Sequence, residues 1–106
     1  MTDERILCAA IWYLELPTQN FKAVNQDKGL LICGLRHGHC IDIVKNLANL
    51  RTVKISPDGV GETIQGFLTN KNRFVNRTEA YKIAKEMNQL NDRYHTEGTL
   101  YSEDLY

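Results

Sequence analysis

No apolar run in this chain is long enough to cross a bilayer. The longest, ILCAAIWYL at residues 6–14, falls well short of the roughly 20 residues that a membrane-spanning helix needs, so no membrane partner is expected. Net charge is absent as well. Thirteen Lys and Arg balance thirteen Asp and Glu, which gives the whole molecule no bias toward a long nucleic acid. Cysteine is scarce and odd in number: Cys8, Cys33 and Cys40 all lie on apolar segments. That pattern suits buried or free thiols in a reducing compartment better than a disulfide framework. The opening MTDER carries two acids where a secretory leader would be basic and then apolar, so a cytoplasmic location is expected. Glycine-rich phosphate loops of the GxGxxG or GxxxxGK type are missing, and DGVGET reads as a turn.

What is present describes one domain over residues 1–106, a length suited to a single core. Hydrophobic residues at 42% and charged residues at 25% are ordinary for a globular fold. ILCAAIWYL reads as a core strand closed by Pro17, and LLICGLRH as a second strand after a polar loop. HCIDIVKNLANL sets Ile41, Val44, Leu47 and Ala48 at helical spacing, with Gly38 at the strand–helix junction. SPDGVGE is turn chemistry between two short strands, residues 52–55 and TIQGFLT. Arg73, Phe74 and Val75 can pair back on TIQGFLT. Asn76 then serves as an N-cap, with Glu79 completing a capping-box pattern, so a second helix starts at Arg77 and fades near residues 89–92. The tail TLYSEDLY can dock Leu100, Tyr101, Leu105 and Tyr106 on the body or on a second subunit. The expected fold class is α+β, an antiparallel sheet of four to five strands with two helices.

Charge is unevenly spread. Residues 71–85 carry Lys71, Arg73, Arg77, Lys82 and Lys85 against Glu79 alone, while four acids face Arg93 in residues 92–106. In RFVNR one arginine leaves a strand and the next opens a helix, so the pair can converge on unpaired N–H groups at a helix start. Such a site favours a phosphate. The competing reading makes both arginines surface residues, one of them paired with Glu79 or an acid of the tail. Phe67 and Phe74 flank this turn and Tyr81 lies one helical turn on, so a base could stack there, although packing in the core is the commoner fate of any one phenylalanine.

GLRHGHC places Arg36, His37, His39 and Cys40 at a strand end. Cys33, His37, His39 and Cys40 have the side chains of a zinc site but neither CxxC nor HxxxH spacing. His37 and His39 could act as acid and base in a small phosphodiesterase, with no second histidine motif to complete the pair. His95 is isolated in a polar segment. Cysteine nucleophilic chemistry lacks an assured neighbouring cation. The residues therefore predict a non-enzyme, with no metal or other cofactor.

GFLTNKNRFVNRTEAYKIA, the closing LYSEDLY and the upstream RHGHCI together resemble small phage proteins of the Thoeris anti-defence family, whose pattern is similar to GF, a short turn, RFVxRxEAxxIA and LxSEDL. The likeness covers about half of the chain. It implies a sponge: a protein that binds cyclic ADP-ribose isomers, and in some members cyclic oligonucleotides at a separate site, and withholds them without cleavage. It also implies a homo-oligomer, from a dimer to a hexamer, acting in the host bacterial cytoplasm with pockets shared between subunits. Arg73 and Arg77 match the arginines that grip the ligand's phosphates, and Arg36 is a weaker match at the strand end; Phe74, Phe67 and His37 complete the expected ligand-binding set. The chain departs from the family between the first helix and GFLT, where it is short and the family's pocket aromatic is not placed. A third reading is a protein-interaction module using Glu103 and Asp104.

Overall fold

The structure, a computed structural model, describes residues 3–16, 18–20, 22–48, 62–91 and 98–105. Its elements run β1 (Ile6–Tyr13), β2 (Leu30–Gly34), α1 (His37–Ala48), β3 (Thr63–Thr69), β4 (Phe74–Asn76), α2 (Arg77–Glu86) and a 3-10 turn (Ser102–Asp104). The strands form one antiparallel sheet in the order β2-β1-β3-β4. This is the expected α+β fold with two helices. The anticipated strand at residues 52–55 and its SPDGVGE turn lie outside the described residues, as do Pro17, His95 and Tyr106. Among the described residues, no helix is long and apolar enough to cross a membrane.

β1 occupies the middle of the sheet because its residues can be buried on both faces. Ala9, Ile11 and Tyr13 alternate onto one face, and Ala10 is fully buried on the other. Ile6 pairs with Thr69 while Cys8 pairs with Leu68, so Leu7 is an extra residue, a β-bulge. The bulge shifts the alternation by one step. Ile6 therefore shares the face of Ala9, and Leu7 is left 51% exposed.

Both helices lie on that face, over two adjoining cores. α2 packs Ala80, Tyr81, Ile83 and Ala84 against Ile6, Ala9, Phe67 and Val75, with Leu100 of the tail completing the cluster. α1 packs Cys40 and Val44 against Ile11 and Tyr13, beside Leu16. The α1 stripe differs from the one read in the sequence: His37, Cys40 and Val44 are buried, whereas Ile41 is 38% exposed. α1 also begins two residues early. The Arg36 carbonyl accepts from the N–H groups of His39 and Cys40, which puts Gly38 inside the first turn and not at a hinge.

On the opposite face, the segment between β1 and β2 seals the outer strand. Asn25 brackets Phe74, accepting from its N–H at 2.8 Å and donating to its carbonyl at 2.6 Å. The Trp12 indole donates to the Lys28 carbonyl and packs edge-on to Phe74. The exposed edge of β4 is thereby covered. Gly66 makes this packing possible, because a Cβ there would overlap the Val75 carbonyl and lie 2.7 Å from the Phe74 ring.

Candidate functional site

The arginine turn forms for the local reasons read in the sequence. Asn72 takes the left-handed conformation (φ 57°) that the tight turn needs. Asn76 caps α2 by accepting from the Glu79 N–H at 2.8 Å. The Glu79 carboxylate, in turn, faces Arg73.

Arg73 is ion-paired to two carboxylates. Its Nη2 and Nε donate to the two oxygens of Glu4 at 2.7 and 2.9 Å, and its Nη1 donates to Glu79 at 3.1 Å. Glu4 is buried and also accepts from the Thr69 hydroxyl at 2.7 Å. The guanidinium bond holds the Glu4 carboxyl below the usual range against the opposing effect of burial. This is the ion-paired alternative in a stronger form, with Glu4 joining Glu79.

Arg77 goes elsewhere. Its Nη1 donates to the Leu100 carbonyl at 2.9 Å and its Nη2 to Gln65 Oε1 at 2.7 Å, while its plane lies 4.9 Å from the Tyr101 ring centroid. The Leu100 N–H returns a bond to the Arg77 carbonyl. Arg77 thus fastens the tail over α2. Its partners are neutral acceptors and a ring, and among the described residues no carboxylate lies within ion-pair distance of it. Two of its five N–H donors are used this way, which leaves three. Burial lowers its pKa, and Tyr101, Glu103 and Asp104 oppose that through space.

The remaining expected residues divide by burial. Phe67 is fully buried and Phe74 is 7% exposed, so both rings are core and offer no face to a base; Tyr81 is buried too. His37 packs edge-on against Phe67 and its Nε2 shares a 2.7 Å hydrogen bond with the Gly66 carbonyl. Burial is the main cause of its lowered pKa, reinforced by the Arg77 charge. His39 is exposed on α1 and Arg36 is half-buried at the start of that helix. No group of three metal-ligating side chains is found among the described residues; Cys40 is buried, donating toward the Ala9 and Arg36 carbonyls.

Between α1 and the sheet runs an open groove of about 270 Å³, with Ile11, Tyr13, Ile41 and Val44 as apolar wall and Lys45, Thr63 and Gln65 as polar rim. Gln65 joins this groove to Arg77. Lys45 and Gln65 were not singled out in the sequence, yet Gln65 had a signal: strand alternation in TIQGFLT puts it on the face of Phe67, where an apolar residue would be expected. Glu4 had none, since it meets Arg73 across 69 residues.

A bulged antiparallel sheet with both helices on one face, and a half-buried arginine bonded to Gln65 of the groove between α1 and the sheet, defines a small α+β protein with a polar-rimmed groove. The chain belongs to the phage T4 y16D protein family, whose model matches residues 5–106. The kinship is with a phage protein family; it does not extend to the Thoeris likeness or to cyclic ADP-ribose. Neither curated proteins nor solved structures gave a match.

Proposed function

We propose that this phage-family protein binds a small phosphate-bearing nucleotide in the cleft between α1 and the sheet and holds it without turnover. The observation that carries the reading is the bond from Arg77 Nη2 to Gln65, a residue of the groove's rim, by a guanidinium with three N–H donors that have no partner among the described residues. A heterocycle fits the wall of Ile11, Tyr13, Ile41 and Val44, with phosphate oxygens turned toward Lys45, Gln65 and Arg77. The groove, at about 270 Å³, is slightly smaller than the ~300 Å³ at which ligand pockets usually begin. It suits one base and sugar, and a second subunit would complete a site for a larger ligand.

Cyclic ADP-ribose isomers are the first ligands to try, because the sequence resembles the anti-defence sponges that sequester them. Binding of this kind needs donors and an apolar wall but no nucleophile. The phosphodiesterase reading is disfavoured by His37, which is buried with Nε2 engaged by the Gly66 carbonyl. The test mixes protein with a cyclic ADP-ribose isomer, measures free ligand by filtration, and repeats the measurement after heat release. Expected is depletion on mixing and recovery of intact ligand, with Arg77→Gln and Lys45→Gln each weakening retention about tenfold and Arg73→Lys leaving it unchanged. A linear product on release would make the protein an enzyme. No depletion at micromolar protein would reject the ligand class.

A further inference from the structure

The face of the sheet away from the helices carries two thiols that the nucleotide reading does not use. Cys8 on β1 stands opposite Leu68 of β3, and Cys33 on β2 stands opposite Ala10 of β1. Alternation puts Cys8, Ala10 and Cys33 on the same face, away from the helices, with the two cysteines one diagonal step apart. Both are half-buried and free.

We propose that Cys8 and Cys33 form a thiol–disulfide exchange site that takes a low-molecular-weight disulfide as substrate and closes to an intramolecular Cys8–Cys33 bond. The Cys8 thiolate attacks one sulfur of the small disulfide, forming a mixed disulfide and expelling one thiolate, which takes up a proton. Cys33 then loses its proton and attacks the Cys8 sulfur, releasing the second small thiol. Two protein thiols are oxidised and one small disulfide is reduced to two thiols.

Three features favour this order. The neighbouring Cys33 thiol stabilises the Cys8 thiolate and brings that thiol down to about 7, while the proximity of Cys8 and then burial push Cys33 up. Cys8 therefore attacks first and Cys33 resolves. The third cysteine does not compete, because Cys40 is fully buried on the other face with its thiol pushed up to about 11. Cys8 adjoins the Leu7 bulge and lies one residue beyond the β1–β2 ladder, which ends at the Ala9–Gly34 pair, so that ladder does not fix it against β2. Diagonal neighbours start about 7–8 Å apart at Cα, beyond the usual ~4.4–6.8 Å of a disulfide. The closed bond is consequently strained and easily reduced, which is the labile and regulatory kind.

The experiment treats the reduced, full-length protein with glutathione disulfide at neutral pH and alkylates what remains, followed by intact mass and peptide mapping. Expected for the unmodified sequence is a monomer lighter by two hydrogens, a Cys8–Cys33 cross-linked peptide, and alkylation at Cys40 only after unfolding. In Cys33→Ser a glutathione adduct should accumulate on Cys8 without resolving. Cys8→Ser should slow the first exchange about tenfold. A stable glutathione adduct on the unmodified protein, a bond involving Cys40, or only intermolecular dimers would overturn the proposal. The mapping of the unmodified protein is decisive even if a serine variant folds poorly.

Discussion

Replacing Arg73 with alanine should unfold this protein more readily than any other single loss of a surface arginine. The substitution strands Glu4, whose side chain is only 10% exposed and whose two oxygens both bond to the guanidinium at 2.7 and 2.9 Å. Breaking a fully buried ion pair from one side costs about 3–5 kcal/mol, whereas an exposed pair is worth about 0–1 kcal/mol. The Arg73 side chain is 33% exposed, which places the loss between these limits, at roughly 2–3 kcal/mol. For a domain of this size that corresponds to about a 10–15 °C fall in Tm. Urea denaturation of Arg73→Ala, Glu4→Gln and the double variant closes the cycle, and a coupling of at least about 1 kcal/mol is expected. The sign with pH is fixed as well. Glu4 has a lowered folded-state pKa, so its contribution is present above the ordinary value of 4.5 and is lost as pH falls through the folded value. An Arg73→Ala unfolding free energy within about 0.5 kcal/mol of that of the unsubstituted protein would refute this account of the network.

Three other expectations follow from the same geometry. Gly66→Ala should cost about 3 kcal/mol, since the new methyl overlaps the Val75 carbonyl and presses on Phe74; circular dichroism melting checks it, and an unchanged Tm would be inconsistent with the packing of β4. Burial and the Arg77 charge lower the His37 pKa, so stability should decline as pH falls below the ordinary 6.5 toward the folded value. His37→Gln should flatten that part of the stability profile, and a slope unaltered by the substitution would exclude His37 as its source. Asn25→Ala removes both bonds to Phe74 and should cost about 1–2 kcal/mol, with faster hydrogen exchange confined to β4; uniform protection would count against the edge-sealing role.

The sequence announced its elements through local chemistry, and these are the parts found in place. Asn76 with Glu79 marked the start of α2, and TIQGFLT marked β3 with the limits observed. The end of α2 came earlier than its composition suggests, because Asn88 turns left-handed (φ 55°) and sends the chain away. What stayed hidden depends on contacts distant in the chain. Nothing near MTDER indicates that Glu4 meets Thr69 and Arg73, and a helical wheel for α1 cannot tell that Cys40 faces the sheet while Ile41 borders a groove. Phe67 and Phe74 could stack a base, although core packing was the commoner expectation, and the core is where they lie; their burial comes from helices and a loop that the local sequence does not specify.

Why the two arginines part follows from the backbone between them. Phe74, Val75 and Asn76 are extended, and at ~3.3 Å per residue four steps carry the chain roughly 13 Å from the Cα of Arg73 to that of Arg77. On one continuous helix the same spacing would have set them side by side. Here each meets the partners of its own neighbourhood: Arg73 meets Glu4 just before β1, and Arg77 meets the tail and Gln65 of the groove's rim. A single small anion therefore has one arginine to bind, and its contacts must come from Arg77 with Gln65 and Lys45. If a phosphate were instead shared by both arginines, Glu4 would lose its partner on binding, and the lowered pKa of that carboxyl would rise. Proton uptake on ligand binding between about pH 4 and 6, measured by calorimetry in two buffers of different ionisation enthalpy, discriminates the two arrangements: none attributable to Glu4 is expected for binding at Arg77 alone, and uptake abolished by Glu4→Gln would show that the clamp draws on Arg73 after all.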